Sequence, residues 1–328
     1  MSQIRVEKLS KAYFVPERPA GLGSSLKSLF KKKYQCISAV EGISFSIQEG
    51  EMVGFIGPNG AGKTTTLKIL SGLLYPSSGK VRVLGHVPWE RETDYLRQIS
   101  MVLGNKSQLM WDIPAMDTFK VLAEIYAVPP KAFRETIAEL SNLLEIEQLL
   151  MRPVRNLSLG ERMKCELVAA LLHRPSVLFL DEPTIGLDVS MQRRLRGFIG
   201  TYNRKTGATV MLTSHYMADV VELCERVICI QEGILLFDGP LPELSAQLAP
   251  FKLIRLSLNR SVDGIDLPSN AYMLSNDDLR LSIRVDRQHT SEITSHLLNT
   301  LPVADLTVED PPVEAVIDQI YQEGNGES

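Results

Sequence analysis

Gly57-Pro58-Asn59-Gly60-Ala61-Gly62-Lys63-Thr64 fits the pattern G-x-x-x-x-G-K-[ST]. Glycines at these spacings let the backbone curl until its N–H groups converge on phosphate oxygens. A helix opening at the end of the loop adds the positive end of its dipole. Lys63 supplies a cation for the β- and γ-phosphates, and the Thr64 hydroxyl is a ligand for Mg²⁺, with Thr65 beside it on the first turn. A second run, Val177-Leu178-Phe179-Leu180-Asp181-Glu182, ends an apolar stretch in two carboxylates. Asp181 is placed for the Mg²⁺ shell, and Glu182 for polarising a water that attacks a γ-phosphate. Together these residues suit hydrolysis of a nucleoside triphosphate. That chemistry needs positioning and charge neutralisation more than covalent intermediates.

Such motifs need rigid elements to hold them. Met52 to Ile56 is a short apolar run ending at Gly57, the pattern of a strand covered on both faces. Thr64 to Leu74 has helical spacing, with Leu67, Ile69, Leu70 and Leu74 apolar. Residues 1–13 and 39–56 read as strands, as do Ile99 to Leu103, Val177 to Leu180 and Val210 to Leu212. Residues 106–164 read as mostly helical. This alternation predicts an α/β fold around a mostly parallel sheet. After about Pro250 the pattern changes. Ile254, Leu256 and Leu258 alternate with polar residues, as do Leu279, Leu281, Ile283 and Val285 after an Asn276-Asp277-Asp278 turn. A helix with Ile293, Leu297, Leu298 and Leu301 follows, then a strand with Leu306 and Val308. A last helix carries Val313, Ile317, Ile320 and Tyr321 on one face. The reading is a first domain over 1–248 and a small α+β domain over 249–328.

The 328 residues suit two domains. A hydrophobic share of 44% with 23% charged residues excludes overall disorder. Lys plus Arg number 35 against 39 Asp plus Glu, a net charge of −4 that argues against a nucleic-acid partner. Cys36, Cys165, Cys224 and Cys229 form no C-x-x-C pair, so free thiols in a reducing compartment are expected, without a zinc site. The chain begins without an apolar leader and contains no run of roughly 18–20 apolar residues, so it is expected to be soluble on its own.

Three further segments carry a resemblance. They are Asn156-Leu157-Ser158-Leu159-Gly160-Glu161, Thr184-Ile185-Gly186-Leu187-Asp188 and Thr213-Ser214-His215. With the two runs above, they resemble in content and order the five motifs of ATP-binding-cassette (ABC) ATPases, over residues 1 to about 245. The resemblance implies an ABC-type nucleotide-binding domain with a helical subdomain at about 106–164. It implies ATP and Mg²⁺, and a head-to-tail dimer with a second copy or a related ATPase subunit. Ser158, Leu159, Gly160 and Glu161 would then meet ATP across the dimer, at a helix beginning near Glu161. His215 would contact the γ-phosphate in its own chain, and Asp188 would link the two sites. Tyr13 matches the aromatic that stacks on adenine, with Phe14 and Tyr34 as rivals. Either Asn105 or Gln108 fills the slot of the Q-loop glutamine. Leu159 and Glu161 depart from the usual glycine and glutamine of the LSGGQ signature.

Asp181 to Asp188, Thr213 to Met217 and the tail past 250, including Val308 to Glu314, resemble ATPase subunits of ABC-2-type transporters. That implies separate membrane permease subunits, a role in export, and a cytoplasmic location at the inner face of the membrane. The alternatives are a soluble ABC ATPase acting on DNA or ribosomes, and a nucleotide-binding regulator with low turnover. A basic insertion at 14–35 sets Leu22, Leu26, Leu29 and Phe30 among Lys27, Lys31, Lys32 and Lys33. It reads either as a solvated loop or as an amphipathic segment at lipid headgroups or the permease.

Overall fold

The computed structural model describes residues 2–16, 34–104, 106–262, 264–265, 267–277, 279–313 and 315–317. The chain divides into two compact units, 1–238 and 239–328. This division falls earlier than the change in sequence pattern near 250.

In the first unit, six strands lie in the order β5-β6-β7-β3-β8-β9. They are β3 (Met52–Ile56), β5 (Ile99–Leu103), β6 (Val177–Asp181), β7 (Thr209–Thr213), β8 (Arg226–Gln231) and β9 (Ile234–Pro240). The pairs β5–β6, β6–β7, β7–β3 and β3–β8 are parallel. Every residue of β3, β6 and β7 is buried, which is why their sequences are mostly apolar, with the polar Asp181, Thr209 and Thr213 at strand ends. The register aligns Leu103 with Asp181 and Asp181 with Thr213. The loops that leave these strands therefore start side by side at the carboxyl edge of the sheet, where open α/β sheets bind ligands.

A second sheet joins β1 (Ser2–Pro16), β2 (Tyr34–Gln48) and β4 (Ser78–Val83), antiparallel in the order β2-β1-β4. Its apolar face, with Ile4, Val6, Phe45 and Ile47, shares a core with Phe55 of β3 and with Leu67, Ile69 and Leu70 of helix α1 (Lys63–Leu70). Each such buried side chain contributes about 1.5–3 kcal/mol relative to exposure. The loop at 57–62 therefore runs between two elements, β3 and α1, that both contribute to this core. The insertion residues 17–33, with all their leucines and lysines, lie outside the described residues.

Between β5 and β6 run α2 (Ala115–Ile125), α3 (Pro130–Leu144) and α4 (Leu159–Leu171). Pro130 starts α3, where its missing N–H costs nothing, and Ile137, Leu140 and Leu144 form the buried stripe. Helices α5 (Val189–Thr206) and α6 (Met217–Leu223) complete the unit.

The second unit starts at Gly239, within the end of β9, and its first helix is α7 (Leu241–Leu248). Strands β10 (Phe251–Leu258), β11 (Ala271–Asp277), β12 (Arg280–Asp286) and β13 (Val303–Glu309) follow, in the antiparallel order β11-β12-β10-β13. Helix α8 (Thr290–Thr300) buries Ile293 and Leu297 in the same core as Ile254, Leu256, Ile283 and Val285. Strand β11 is not anticipated from the sequence. A register shift between Met273 and Ser275 breaks its alternation, and Tyr272 and Leu274 are exposed. Leu279 sits in the turn rather than in β12, and Asn276 and Asp277 belong to β11. Val316 and Ile317 of the expected last helix are buried, while Ile320 and Tyr321 lie outside the described residues.

Candidate functional site

Strand β3 delivers the chain into a loop that only glycine can turn at two places. Gly57 has φ 154°, and a Cβ there would sit 2.0 Å from the Ile230 carbonyl oxygen. Gly62 has φ 101°, and its Cβ would meet the Ala39 oxygen at 2.3 Å. Between them Asn59 and Gly60 are exposed, and Ala61 N–H donates to the Pro58 carbonyl at 3.2 Å. Lys63 is 6% exposed, and its ammonium donates to the carbonyls of Gly57 at 2.6 Å and Pro58 at 2.8 Å. Burial pulls its pKa down, opposed by the charges of Glu182, Asp181 and Cys229.

Asp181 ends β6 beside this loop. Its Oδ1 accepts from Thr64 Oγ1 at 3.2 Å and from Thr213 Oγ1 at 2.7 Å. A hydroxyl and a carboxylate oxygen in contact are the hard donor pair that suits Mg²⁺. Glu182 takes a left-handed φ of 55°, and its N–H donates to the Thr213 carbonyl at 3.1 Å. His215 Nε2 lies 2.7 Å from Glu182 Oε1. A cavity of about 150 Å³ is lined by Thr64, Lys68, Lys106, Asp181 and Glu182, with Leu103, Gly104 and Ile185.

The other expected residues form a second group. Ser158 caps α4: Glu161 N–H donates to Ser158 Oγ at 3.3 Å, and Ser158 N–H donates to Glu161 Oε2 at 2.8 Å. The helix starts at Leu159 rather than near Glu161, because this reciprocal capping box satisfies its first turn. The Ser158 N–H bond is the main cause that holds the Glu161 carboxyl below its ordinary pKa. A glutamate in place of glutamine thus adds a charge that a helix N-terminus favours. Leu159 leans on the segment after Glu182, since a Cβ on Gly186 would meet Leu159 Cδ2 at 3.0 Å. A Cβ on Gly160 would meet Met191 Cε at 3.1 Å. Asp188 caps α5, accepting from Met191 N–H at 3.0 Å. Among the described residues, none of Ser158, Leu159, Gly160 or Glu161 lines the cavity at Asp181 and Glu182. Tyr13 stands apart on β1, with Lys11 Nζ 5.2 Å from its ring centre.

Residues 40–185 match the ABC transporter family, and residues 250–309 match the C-terminal domain of EvrA-like ABC transporters. The ABC transporter ATP-binding protein NatA of Bacillus subtilis (strain 168) is 31% identical over 72% of this chain and 96% of its own length. The chain belongs to the ATP-binding proteins of ABC transporters. This ABC ATPase is also similar to the linearmycin resistance ATP-binding protein LnrL of the same bacterium, at 29% identity over 87% of this chain and 94% of LnrL. A solved ATP-binding subunit of an ABC transporter shares its fold, with a TM-score of 0.62 at 24% identity, covering 75% of this chain and 93% of that one. So does a dimeric ATP-binding cassette solved in a post-hydrolysis state with ADP and phosphate, with a TM-score of 0.60 at 22% identity, covering 72% and 98%. The chain is an ATP hydrolase and the ATPase component of a transporter. Among the described residues, no helix is long and apolar enough to cross a membrane.

Three features of the ABC ATPase escaped the sequence reading. Gly104 N–H donates to the Asp181 carbonyl at 2.8 Å, and a Cβ on Gly104 would lie 2.3 Å from the Glu182 carbonyl oxygen. Glu166 of α4, 3% exposed, accepts from the Ser107 hydroxyl, from Gln108 N–H at 3.0 Å and from Leu109 N–H at 3.5 Å. Asp219 accepts from the hydroxyls of Thr184 and Ser214, which lie on two different loops. Asn105 lies outside the described residues. The Gln108 side chain donates to the Met101 carbonyl at 3.1 Å and does not line the cavity at Asp181. A glycine after a strand carries no distinguishing pattern. Glu166 could have been noticed as an acid on an otherwise apolar stretch of α4.

Proposed function

We propose that this ATPase hydrolyses ATP in a head-to-tail dimer and powers export through separate ABC-2-type permease subunits. One observation carries the reading. Thr64, Asp181 and Glu182 line one cavity, Lys63 neighbours Thr64 and His215 lies 2.7 Å from Glu182, while among the described residues no part of the Ser158–Glu161 segment lines it. A second copy supplies the missing helix N-terminus, with Ser158 and the Gly160 backbone facing the γ-phosphate.

Lys63 exchanges its two loop carbonyls for phosphate oxygens. Thr64 and Asp181 would hold Mg²⁺, which would neutralise charge on the phosphates when bound. Glu182 orients the attacking water and takes its proton, and His215 keeps the Glu182 carboxylate aimed while meeting the γ-phosphate. Asp188 faces the opposite site, and Tyr13 stacks on adenine. The pairing of Glu182 with His215 supports turnover rather than binding alone.

A groove of about 560 Å³ supports the permease reading. Leu73, Leu96, Met101, Ile125 and Tyr126 make it apolar, and Arg91, Arg97 and Lys106 make it cationic. Leu103 and Lys106 line both the groove and the cavity at Asp181, so whatever seats in the groove touches the reaction site. It takes a short permease helix with an apolar face and acidic flanks. Co-purification from membranes tests this: Arg91→Glu with Arg97→Glu, both in the groove and neither in the cavity at Asp181, should lose the permease while keeping ATP binding. Undiminished co-purification counts against the groove. The partner recovered by the unaltered chain identifies the transporter.

A further inference from the structure

We propose that Asp219 is a positioning residue that ties together the two loops flanking the hydrolytic pair. Asp219 lies on α6 and is 1% exposed. Its Oδ2 accepts from the Thr184 hydroxyl and from Ser214 Oγ, the latter at 2.6 Å. Its Oδ1 accepts from Arg196 Nη1 of α5 at 2.9 Å. Thr184 lies in the segment that runs from Glu182 to Asp188, and Ser214 immediately precedes His215. One buried oxygen therefore holds both loops, each within two residues of a reacting side chain.

The surroundings leave this oxygen little freedom. Ser214 Oγ also accepts from Tyr216 N–H at 3.0 Å, and Gln192 Nε2 donates to the Leu187 carbonyl at 3.2 Å. Arg196 is itself held by Glu222 at 2.6 Å. A buried carboxylate persists only when paired and hydrogen-bonded, and its charge strengthens both hydroxyl bonds. Displacing the Asp188 segment therefore pulls on the His215 loop, and the 2.7 Å spacing of Glu182 and His215 is maintained as the loops move.

Asp219→Asn tests the tie without changing volume. An amide nitrogen facing Arg196 would set donor against donor, so the amide oxygen turns to Arg196 and both hydroxyls lose their acceptor. In the full-length chain, kcat should fall about tenfold or more while KM stays within about threefold. Thr184→Val and Ser214→Ala should each lower kcat by less, and add little when combined with Asp219→Asn. Glu222→Gln removes only the outer partner of Arg196 and should leave kcat within about twofold. Wild-type kcat in folded Asp219→Asn, or fully additive losses, overturns the proposal. If Asp219→Asn does not fold, the Thr184→Val and Ser214→Ala cycle decides alone: coupled losses support the tie and independent ones refute it. The inference rests on Glu182 and His215 being the hydrolytic pair. A parallel Glu182→Gln measurement separates the two, since wild-type turnover there refutes the pair whatever Asp219 does.

Discussion

Gly104→Ala probes the placement of Glu182 without touching a reacting group. The new Cβ would sit 2.3 Å from the Glu182 carbonyl oxygen and 2.8 Å from Ile185 Cγ2. Ordinary carbon–oxygen contact is about 3.3 Å, so roughly 1 Å must open. The glycine is held by its own bond to the Asp181 carbonyl at 2.8 Å, and Glu182 sits at φ 55° with its N–H tied to Thr213. Neither side yields without disturbing Glu182, the carboxylate proposed to activate water. A misplacement of about 1 Å at a reacting group costs about a hundredfold in rate, or roughly 2.7 kcal/mol of barrier. Steady-state phosphate release should show that loss in kcat. Binding of a fluorescent ATP analogue should stay within about threefold, because the three atoms nearest the new methyl belong to Glu182 and Ile185 rather than to the phosphate loop. A folded variant with kcat within about threefold of wild type would refute the argument that Gly104 sets the Glu182 position.

Other outcomes follow from the same geometry. Ser158→Ala removes an N-cap and should cost about 1 kcal/mol of stability, read by denaturant melting; Ser158→Asp should recover most of it. Glu161 has a depressed carboxyl pKa, so its contribution to stability is complete above the unfolded value of about 4.3 and is lost as pH falls through the folded value. The melting difference between wild type and Glu161→Gln should therefore be full at neutral pH and close in acid. An unchanged difference across that range contradicts the cap assignment. Among the cysteines, Cys36 is exposed, while burial pushes the thiols of Cys165, Cys224 and Cys229 up to about 12. Maleimide at neutral pH should label Cys36 alone in the native chain and the others only in denaturant.

What the sequence made legible shares one property: it is local. Gly57 to Thr64 is contiguous, and the strand before it and the helix after it are visible in the same window. Asp181 and Glu182 end an apolar run for the same reason. The linkages that hold these groups in place are not local. Thr184 meets Asp219 across 35 residues, and Gln108 meets Glu166 across 58. Neither spacing has a period that a window could detect. Gly104 matters only because two parallel strands bring it against Glu182. Strand β11 was hidden by its irregular register and exposed Tyr272 and Leu274. The fate of Leu159 also needed coordinates. Its bulk, an anomaly in the motif, packs on Gly186 of its own chain.

The central claim is that one chain holds half of each ATP site. Sedimentation of Glu182→Gln with MgATP tests it most directly, because with the proposed base removed this variant should bind nucleotide without consuming it. The account predicts a monomer without ATP, a dimer with ATP, and a return to monomer when Ser158→Arg is added. A species that stays monomeric with ATP bound, or a dimer indifferent to Ser158→Arg, would contradict it.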